Sequence, residues 1–387
     1  MTFLRRLLMP AMILLVTGCE DRAKNFSQYP GFAEWYATNP PISTPPTAEQ
    51  VALLKRYQPR IFLPAQHEGP IDFYRDYIGS GILLDGNGEE VSSAVDQRIL
   101  NDHKADPAAV FTHRPGGGDV EPKIYGRLDE RAIDWPTCDA PVTLSFLTYH
   151  LVFRYSGLPA GVPVWQSVGL GLIGDLDDWH QLDHYTAVTL TLAPEASKAP
   201  RPIAATFQQH NYQRTYLLDQ GTTGPGRLAL PTDDRLKVDV AIRSNELYPH
   251  VQERLARPAV SFLDPESAAY MVADGPAPWL AADDITDPIK EIKPELTFLP
   301  QDDAFYVFQG WLGERRRLPG RDGPPGADYN TLPAMKPLVN QMVLSWWSEG
   351  DRDWLQHYEA LFQDGRPTSI DPAPFLDRIA DEVGLDC

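Results

Sequence analysis

The chain has 387 residues and a formal net charge of −19, with 34 Lys and Arg against 53 Asp and Glu. This acidity argues against nucleic-acid binding and against electrostatic docking on an anionic bilayer. It suits a metal cation or a cationic partner, or it serves only to keep the protein soluble. The 37 prolines are spread along the chain, which indicates many short elements joined by turns and favours a mostly β fold.

Residues 1–18 have the features of a bacterial lipoprotein signal peptide. Arg5 and Arg6 form a positive region, and an apolar segment of about ten residues follows, too short to span a bilayer. The sequence Val-Thr-Gly before Cys19 resembles a lipobox, which predicts a palmitate-type acyl anchor on Cys19. An ordinary secretory signal with a chance cysteine is the alternative.

The anchor predicts a protein of the cell envelope, held to the lipid bilayer and facing the periplasm or the cell surface. Glu20 follows Cys19, whereas Asp at that position is the usual inner-membrane retention signal of proteobacterial lipoproteins. This resemblance favours the outer membrane. Residues 19–46 then form a lipidated tether, because the proline-rich residues 39–46 make a stiff, extended spacer.

The remaining cysteines, Cys138 and Cys387, form an even pair in an oxidising compartment. We therefore predict a disulfide that pins the C-terminal tail to the domain. The alternative is two free thiols, since Cys387 is the last residue and chain ends fray.

The folded part is expected to begin at Thr47, where Thr-Ala-Glu-Gln forms a capping box and opens a helix of about ten residues that ends before Pro59. Alternating or β-branched residues predict strands at 60–63, 142–155, 185–192, 203–210, 236–244 and 304–311. Residues 85–89 resemble the start of a calcium loop, but Glu90 stands where that loop needs glycine for its sharp turn, which favours a β-turn.

The C-terminal part has a different pattern. Apolar residues recur at helical spacing over 332–347 and again over 351–362. The sequence therefore predicts a mostly β domain at 47–330, with peripheral helices, and a C-terminal helical extension at 331–387 packed on it.

Acids and imidazoles are densest just before the strand predicted at 185–192. Within ten residues the chain carries Asp175, Asp177, Asp178, His180, Asp183 and His184. A ligand-rich loop that leads into a rigid strand is a common way to build a binding site.

Several motifs, in their order along the chain, resemble the vacuolar protein sorting-associated 62-like family and, more distantly, the necrosis- and ethylene-inducing-like cytolysins. They lie at 57–63, 148–155, 174–190, 207–210, 240–249, 310–313 and 323–326. The resemblance implies an antiparallel, jelly-roll-like β-sandwich with its polar motifs at one end. In the cytolysins, that end holds a divalent cation that helps to bind a lipid headgroup.

The motifs also depart from the family pattern. His180 stands where the family has Glu, and Asn245 replaces a family His, whereas His210 is retained. The function of the family therefore does not transfer directly.

We expect six polar residues to gather at one end of the sandwich and to bind a ligand, with one divalent cation, Ca, Mg or Zn, as a candidate. They are Asp183, His184, His210 and Glu246, with Asp178 and His180. The alternative is that these side chains only satisfy backbone groups at turns and strand ends.

The sequence favours a binding module over an enzyme, because it lacks the Gly-x-Ser-x-Gly nucleophile motif. Its partner would be an envelope glycan, a lipid headgroup or another protein. The alternative is a secreted metal- or acid/base-dependent hydrolase that acts on an envelope glycan or lipid.

Overall fold

The computed structural model describes residues 45–113, 121–157, 180–183, 186–195, 199–209, 212–219, 227–231, 233–242, 244–250, 289–313, 373–385 and 387. Within these ranges the chain is mostly β. No helix in this part of the chain is long and apolar enough to cross a membrane.

Four α-helices are described: α1 (Ala48–Arg56), α2 (Gln97–Asp102), α3 (Ala304–Val307) and α4 (Ala373–Val383). The strands are β1 (Arg60–Pro64), β2 (Gly81–Leu84), β3 (Glu90–Ser92), β4 (Val110–His113), β5 (Lys123–Ile133), β6 (Val142–His150), β7 (Phe153–Ser156), β8 (His180–Asp183), β9 (Ala187–Ala193), β10 (Arg201–Gln209), β11 (Tyr212–Asp219), β12 (Arg227–Ala229), β13 (Lys237–Val240), β14 (Leu247–Pro249), β15 (Ile289–Ile292) and β16 (Glu295–Phe298). A short π-helix and a 3₁₀ turn at Phe73–Tyr77 and Ile78–Ser80 precede β2.

Two sheets form the body of the fold. The large sheet has the order β12-β11-β10-β9-β6-β5-β16, and the small sheet has the order β14-β13-β1-β15. Most neighbours are antiparallel, but β1–β13, β11–β12 and β5–β16 pair in parallel. Two smaller sheets, β3-β2-β4 and β7-β8, flank this body.

The core between the two main sheets is built from alternating residues of both. Val188, Leu190 and Phe207 of the large sheet join Val238 and Val240 of the small sheet in one buried cluster. Sheets that bury one face each against the other form a sandwich. The predicted mostly β, sandwich-like fold is therefore confirmed.

The first elements follow the sequence signals closely. The Thr47 side chain accepts from the Gln50 backbone at 3.2 Å, and the Gln50 side chain accepts from the Thr47 backbone at 2.9 Å. This is the predicted capping box, and it starts α1. Asp85 accepts from the backbone of Asn87 and Glu89, which makes the predicted β-turn.

The single strand predicted at 142–155 is wrong, because the structure divides it into β6 and β7 in different sheets. Leu151 and Val152 lie between them, buried in two different hydrophobic clusters. The Leu151 N–H donates to the Thr186 carbonyl, and the Val152 carbonyl accepts from Ile71. The sequence does not reveal this change of sheet, because Leu151 and Val152 are apolar residues that also suit a continuous strand.

The strand predicted at 304–311 is also wrong, because its first residues form α3. Asp303 caps this helix by accepting from the Phe305 backbone at 2.9 Å. Its buried carboxylate also accepts from Tyr74, Gln97 and Asn101. A residue with these partners fixes a helix start that overrides the β propensity of the aromatic residues after it.

The second face of the large sheet carries a row of threonines in four adjacent strands. Thr148, Thr189, Thr206 and Thr215 are cross-strand neighbours, and all four are buried. Their hydroxyls pair at 2.9 Å for Thr148–Thr189 and at 2.8 Å for Thr206–Thr215. The alternation of threonines with apolar residues in β9 therefore belongs to a strand buried on both faces.

The predicted disulfide is present. Cys138 and Cys387 are bonded, with their Cα atoms 5.4 Å apart. Helix α4, just before Cys387, packs on the large sheet. The helices predicted at 332–347 and 351–362, the segment 1–18, residues 19–44 of the tether and the domain boundary at 330 lie outside the described residues and remain predictions.

Candidate functional site

The predicted site falls only partly on the described residues. Asp178, His184 and His210 lie outside them, and for His180 only the backbone is described, at the start of β8. Asp183 and Glu246 are described with their side chains, so the local geometry of the site is built from these two.

Asp183 ends β8, opposite Phe153 of β7, and its side chain is fully buried. The Thr186 hydroxyl donates to its Oδ1 at 3.1 Å, and Asn245 Nδ2 donates to its Oδ2 at 3.0 Å. A buried carboxylate needs such donors, because its charge has lost water.

Asn245 connects Asp183 to two other segments. Its Nδ2 also donates to the Tyr155 carbonyl at 2.7 Å, and its Oδ1 lies 3.1 Å from Nε2 of His67. Its backbone has φ 59°, a left-handed conformation that Asn adopts more readily than most residues. Asn245 is therefore the junction at which β7, β8 and the segments after β1 and β13 meet.

The hydrogen bonds of His67 fix its tautomer. The Gly69 N–H donates to Nδ1 at 2.9 Å, so Nδ1 is an acceptor and Nε2 carries the hydrogen that is donated to Asn245. Burial lowers the pKa of His67 to about 4, against hydrogen bonds with Asn245 and the Ala241 carbonyl that raise it. His67 is thus neutral at pH 7 and positions Asn245.

Glu246 is 7% exposed and faces a different partner. Its carboxylate accepts from the hydroxyl of Tyr248, two residues further on. The structure thus joins Asp183 to Asn245, the position where the sequence departs from the family pattern, and it places Glu246 beside Tyr248. Within the described ranges, no three His, Cys, Asp or Glu side chains form a group suited to a metal ion.

Sequence reasoning missed His67 and treated Asn245 only as a departure. One signal was available for His67, which lies three residues after β1, at a strand end like the other polar motifs. No pattern in the sequence links His67 to a partner 178 residues away.

A second pair on the outer face of the small sheet was also missed. His250 Nδ1 lies 2.7 Å from Oδ1 of Asp239, and its ring stacks on Phe62 with centroids 4.4 Å apart. Asp239 is 2% exposed, although the strand pattern places it on the polar face. Such a carboxylate fixes the orientation of the imidazole.

A third imidazole, His150, is buried on the threonine-bearing face of the large sheet. Its ring lies near those of Phe305 and Tyr306, at centroid distances of 5.9 Å and 5.5 Å. Burial, and then the positive charge of Arg127, lowers the pKa of His150 to about 3. Its Nδ1 has no hydrogen-bond partner among the described residues.

No family model matches the chain, and no curated protein matches it. A distant structural neighbour is a solved structure described as the crystal structure of the non-toxic HaNLP3 protein. The two chains are 13% identical, with 60% of this chain and 84% of the other covered, at a TM-score of 0.26. At that TM-score the likeness does not establish a shared fold.

Proposed function

We propose that the protein is a bacterial cell-envelope lipoprotein whose β-sandwich is a binding module, with its ligand at the end that carries Asp183. A divalent cation is the first ligand component to test. The observation that carries the proposal is the buried Asp183 carboxylate, oriented by Asn245 from a motif 62 residues away. The order of the motifs, as in the vacuolar protein sorting-associated 62-like family, supports the same end of the fold.

The strand register also supports this location. Val188 of β9 pairs with Phe207 of β10 in antiparallel register, so β9 begins and β10 ends at the same edge of the large sheet. In the sequence, His184 lies three residues before β9 and His210 directly follows β10. Strand ends at one edge are where imidazole and carboxylate groups of distant segments meet.

The character of Asp183 favours binding over hydrolysis. The group is fully buried and its two oxygens accept hydrogen bonds from neutral donors. Carboxylate oxygens held in one orientation suit the coordination of a hard cation, and this is the reason we favour binding.

The cation is tested by thermal unfolding of the chelator-treated protein with added Ca²⁺, Mg²⁺ or Zn²⁺. A ligand that binds only the folded state raises the unfolding temperature. We expect His184→Ala and His210→Ala to lose this increase, and His103→Ala, at the end of α2, to keep it. Absence of a metal-dependent increase in the wild-type protein rejects the cation.

The anchor is tested separately by membrane fractionation and by mass spectrometry of the N-terminal peptide. We expect the wild-type protein in the membrane fraction with an acylated Cys19, and Cys19→Ala without the acyl group and released from the membrane. A wild-type protein with an unmodified N-terminus at another residue rejects the lipoprotein proposal.

The alternative is a hydrolase of an envelope glycan or lipid, and one observation supports it. In the pair of Asp239 and His250, the carboxylate engages Nδ1, an arrangement that prepares Nε2 to act as a base. A hydrolase of this kind loses turnover of glycan or phospholipid substrates in His250→Gln and keeps it in His103→Gln.

A further inference from the structure

Helix α4 packs on the second face of the large sheet. Among its described side chains, Leu376, Ile379, Ala380 and Val383 are buried, and they join sheet residues Leu144, Phe146, Ala204 and Leu217 in one hydrophobic cluster. Trp135, 2% exposed, belongs to the same cluster. The helix therefore shields an apolar surface that the sheet would otherwise expose to water.

The described polar attachments of α4 lie at its C-terminal end. Arg201 donates to the Val383 and Gly384 carbonyls at 2.5 Å, and Arg227 pairs with Glu382. Cationic groups are favourable there, because the last carbonyls of a helix lack partners within it. Arg227 and Glu382 are both more than a third exposed, so this ion pair contributes little.

The disulfide is the covalent attachment at the same end. Cys387 is exposed and Cys138 is partly buried, so the bond lies at the protein surface. The Cys138 N–H donates to the Trp135 carbonyl at 3.0 Å, which places the disulfide on the turn that carries this tryptophan. A soluble dithiol can reach an exposed disulfide.

The length of α4 gives the helix little stability of its own once it leaves the sheet. The helix has 11 residues, a length that is marginal for an isolated helix in water, and of its four buried side chains among those described, one is only a methyl group. The disulfide ties the residue four positions after α4 to the turn at Trp135, so its loss lets the C-terminal end of the helix move away from the sheet.

We propose that the Cys138–Cys387 disulfide is a redox latch that keeps α4 on the sheet. Reduction by a dithiol transfers two electrons and two protons to the bond, which yields two thiols and leaves the dithiol oxidised. The freed helix then detaches locally, and the sheet face around Phe146 and Leu217 becomes exposed while the sandwich stays folded. Reoxidation closes the latch.

The test is hydrogen exchange of the full-length chain, measured by mass spectrometry before and after treatment with dithiothreitol. We expect the amides of 373–385 to exchange at least about tenfold faster after reduction, while those of β6 keep their protection. The double variant Cys138→Ser/Cys387→Ser should match the reduced wild-type protein without dithiothreitol and should not respond to it.

Two results overturn the proposal. If reduction leaves the exchange of 373–385 unchanged, the disulfide does not hold the helix. If β6 loses protection together with α4, the bond stabilises the whole domain and is not a local latch. Tryptophan fluorescence gives a second readout: reduction should shift the wild-type emission to longer wavelength, and Trp135→Phe should remove most of that shift.

Discussion

Asn245 donates a hydrogen bond from Nδ2 to Oδ2 of Asp183 at 3.0 Å across 62 residues of sequence. The same amide binds the Tyr155 carbonyl and His67. The backbone of Asn245 has a left-handed conformation, and its one side chain satisfies polar groups of three separate segments. We therefore expect the stability of this end of the fold to depend on Asn245.

Replacing Asn245 by Ala should therefore destabilise the domain by about 2–4 kcal/mol, because Asp183 and His67 lose a buried partner. Urea unfolding measures the change. Asn245→Gly removes the same hydrogen bonds but accepts the φ of 59°, so it should recover at most about 1 kcal/mol. Asp234→Ala is the control, at a half-exposed residue with φ 56°, and should cost less than the loss at Asn245.

Asp303→Ala should destabilise the protein by about 3 kcal/mol, since it removes the cap of α3 and the acceptor of Tyr74, Gln97 and Asn101. The neighbouring variant Asp302→Ala provides the comparison. It removes only a partly exposed contact with Lys104 at 3.3 Å, and we expect less than about 1 kcal/mol. Equal effects in urea unfolding contradict this assignment.

The threonine row predicts coupling between neighbours. Thr206→Val leaves the buried Thr215 hydroxyl without its 2.8 Å partner, and Thr215→Val does the same to Thr206, so each should cost about 1–2 kcal/mol. The double variant removes both hydroxyls and should cost less than the sum of the two. A double-mutant cycle with a coupling energy near zero argues against the hydroxyl pair.

Acid sensitivity is expected from His150. Its pKa falls from 6.5 to about 3 on folding, so the unfolded state takes up the proton first as the pH drops. The stability linked to His150 is complete above about pH 6.5 and is lost progressively as the pH falls toward 3. At pH 5 the loss should reach roughly 2 kcal/mol.

His150→Phe should remove that part of the pH dependence, because phenylalanine carries no titrating group and suits the rings of Phe305 and Tyr306. Urea unfolding at pH 7 and pH 5 provides the measurement. The difference between the two pH values should shrink in the variant. A wild-type difference that persists unchanged in His150→Phe would falsify the role of this imidazole.

The sequence predicted the parts of the fold that depend on neighbouring residues. The capping box at Thr47, the turn at Asp85 and the alternation of β10 and β13 depend on short patterns. The prediction failed where contacts between distant residues determine the local structure. Leu151 and Val152 link two sheets, and Asp303 has partners about 200 residues away.

The candidate site shows the same division. Asp183 is one of six candidate residues in the sequence, but its bond to Asn245 and the role of His67 depend on chain crossings that no local pattern encodes. The alternation along β13 places Asp239 on the polar face of the strand, yet its side chain is buried. Alternation shows which residues share a face, but it does not show whether other parts of the chain cover that face.

Strand β1 lies in the interior of the small sheet, between β13 and β15, although both partners come more than 170 residues later in the chain. During synthesis, its apolar residues Ile61 and Leu63 have no partner strand until β13 and β15 have been made. Such long-range pairing slows folding, and it prolongs the time for which an unpaired, aggregation-prone strand is exposed. The early chain therefore needs protection from aggregation while the rest follows, and refolding in vitro should give better yields at low protein concentration.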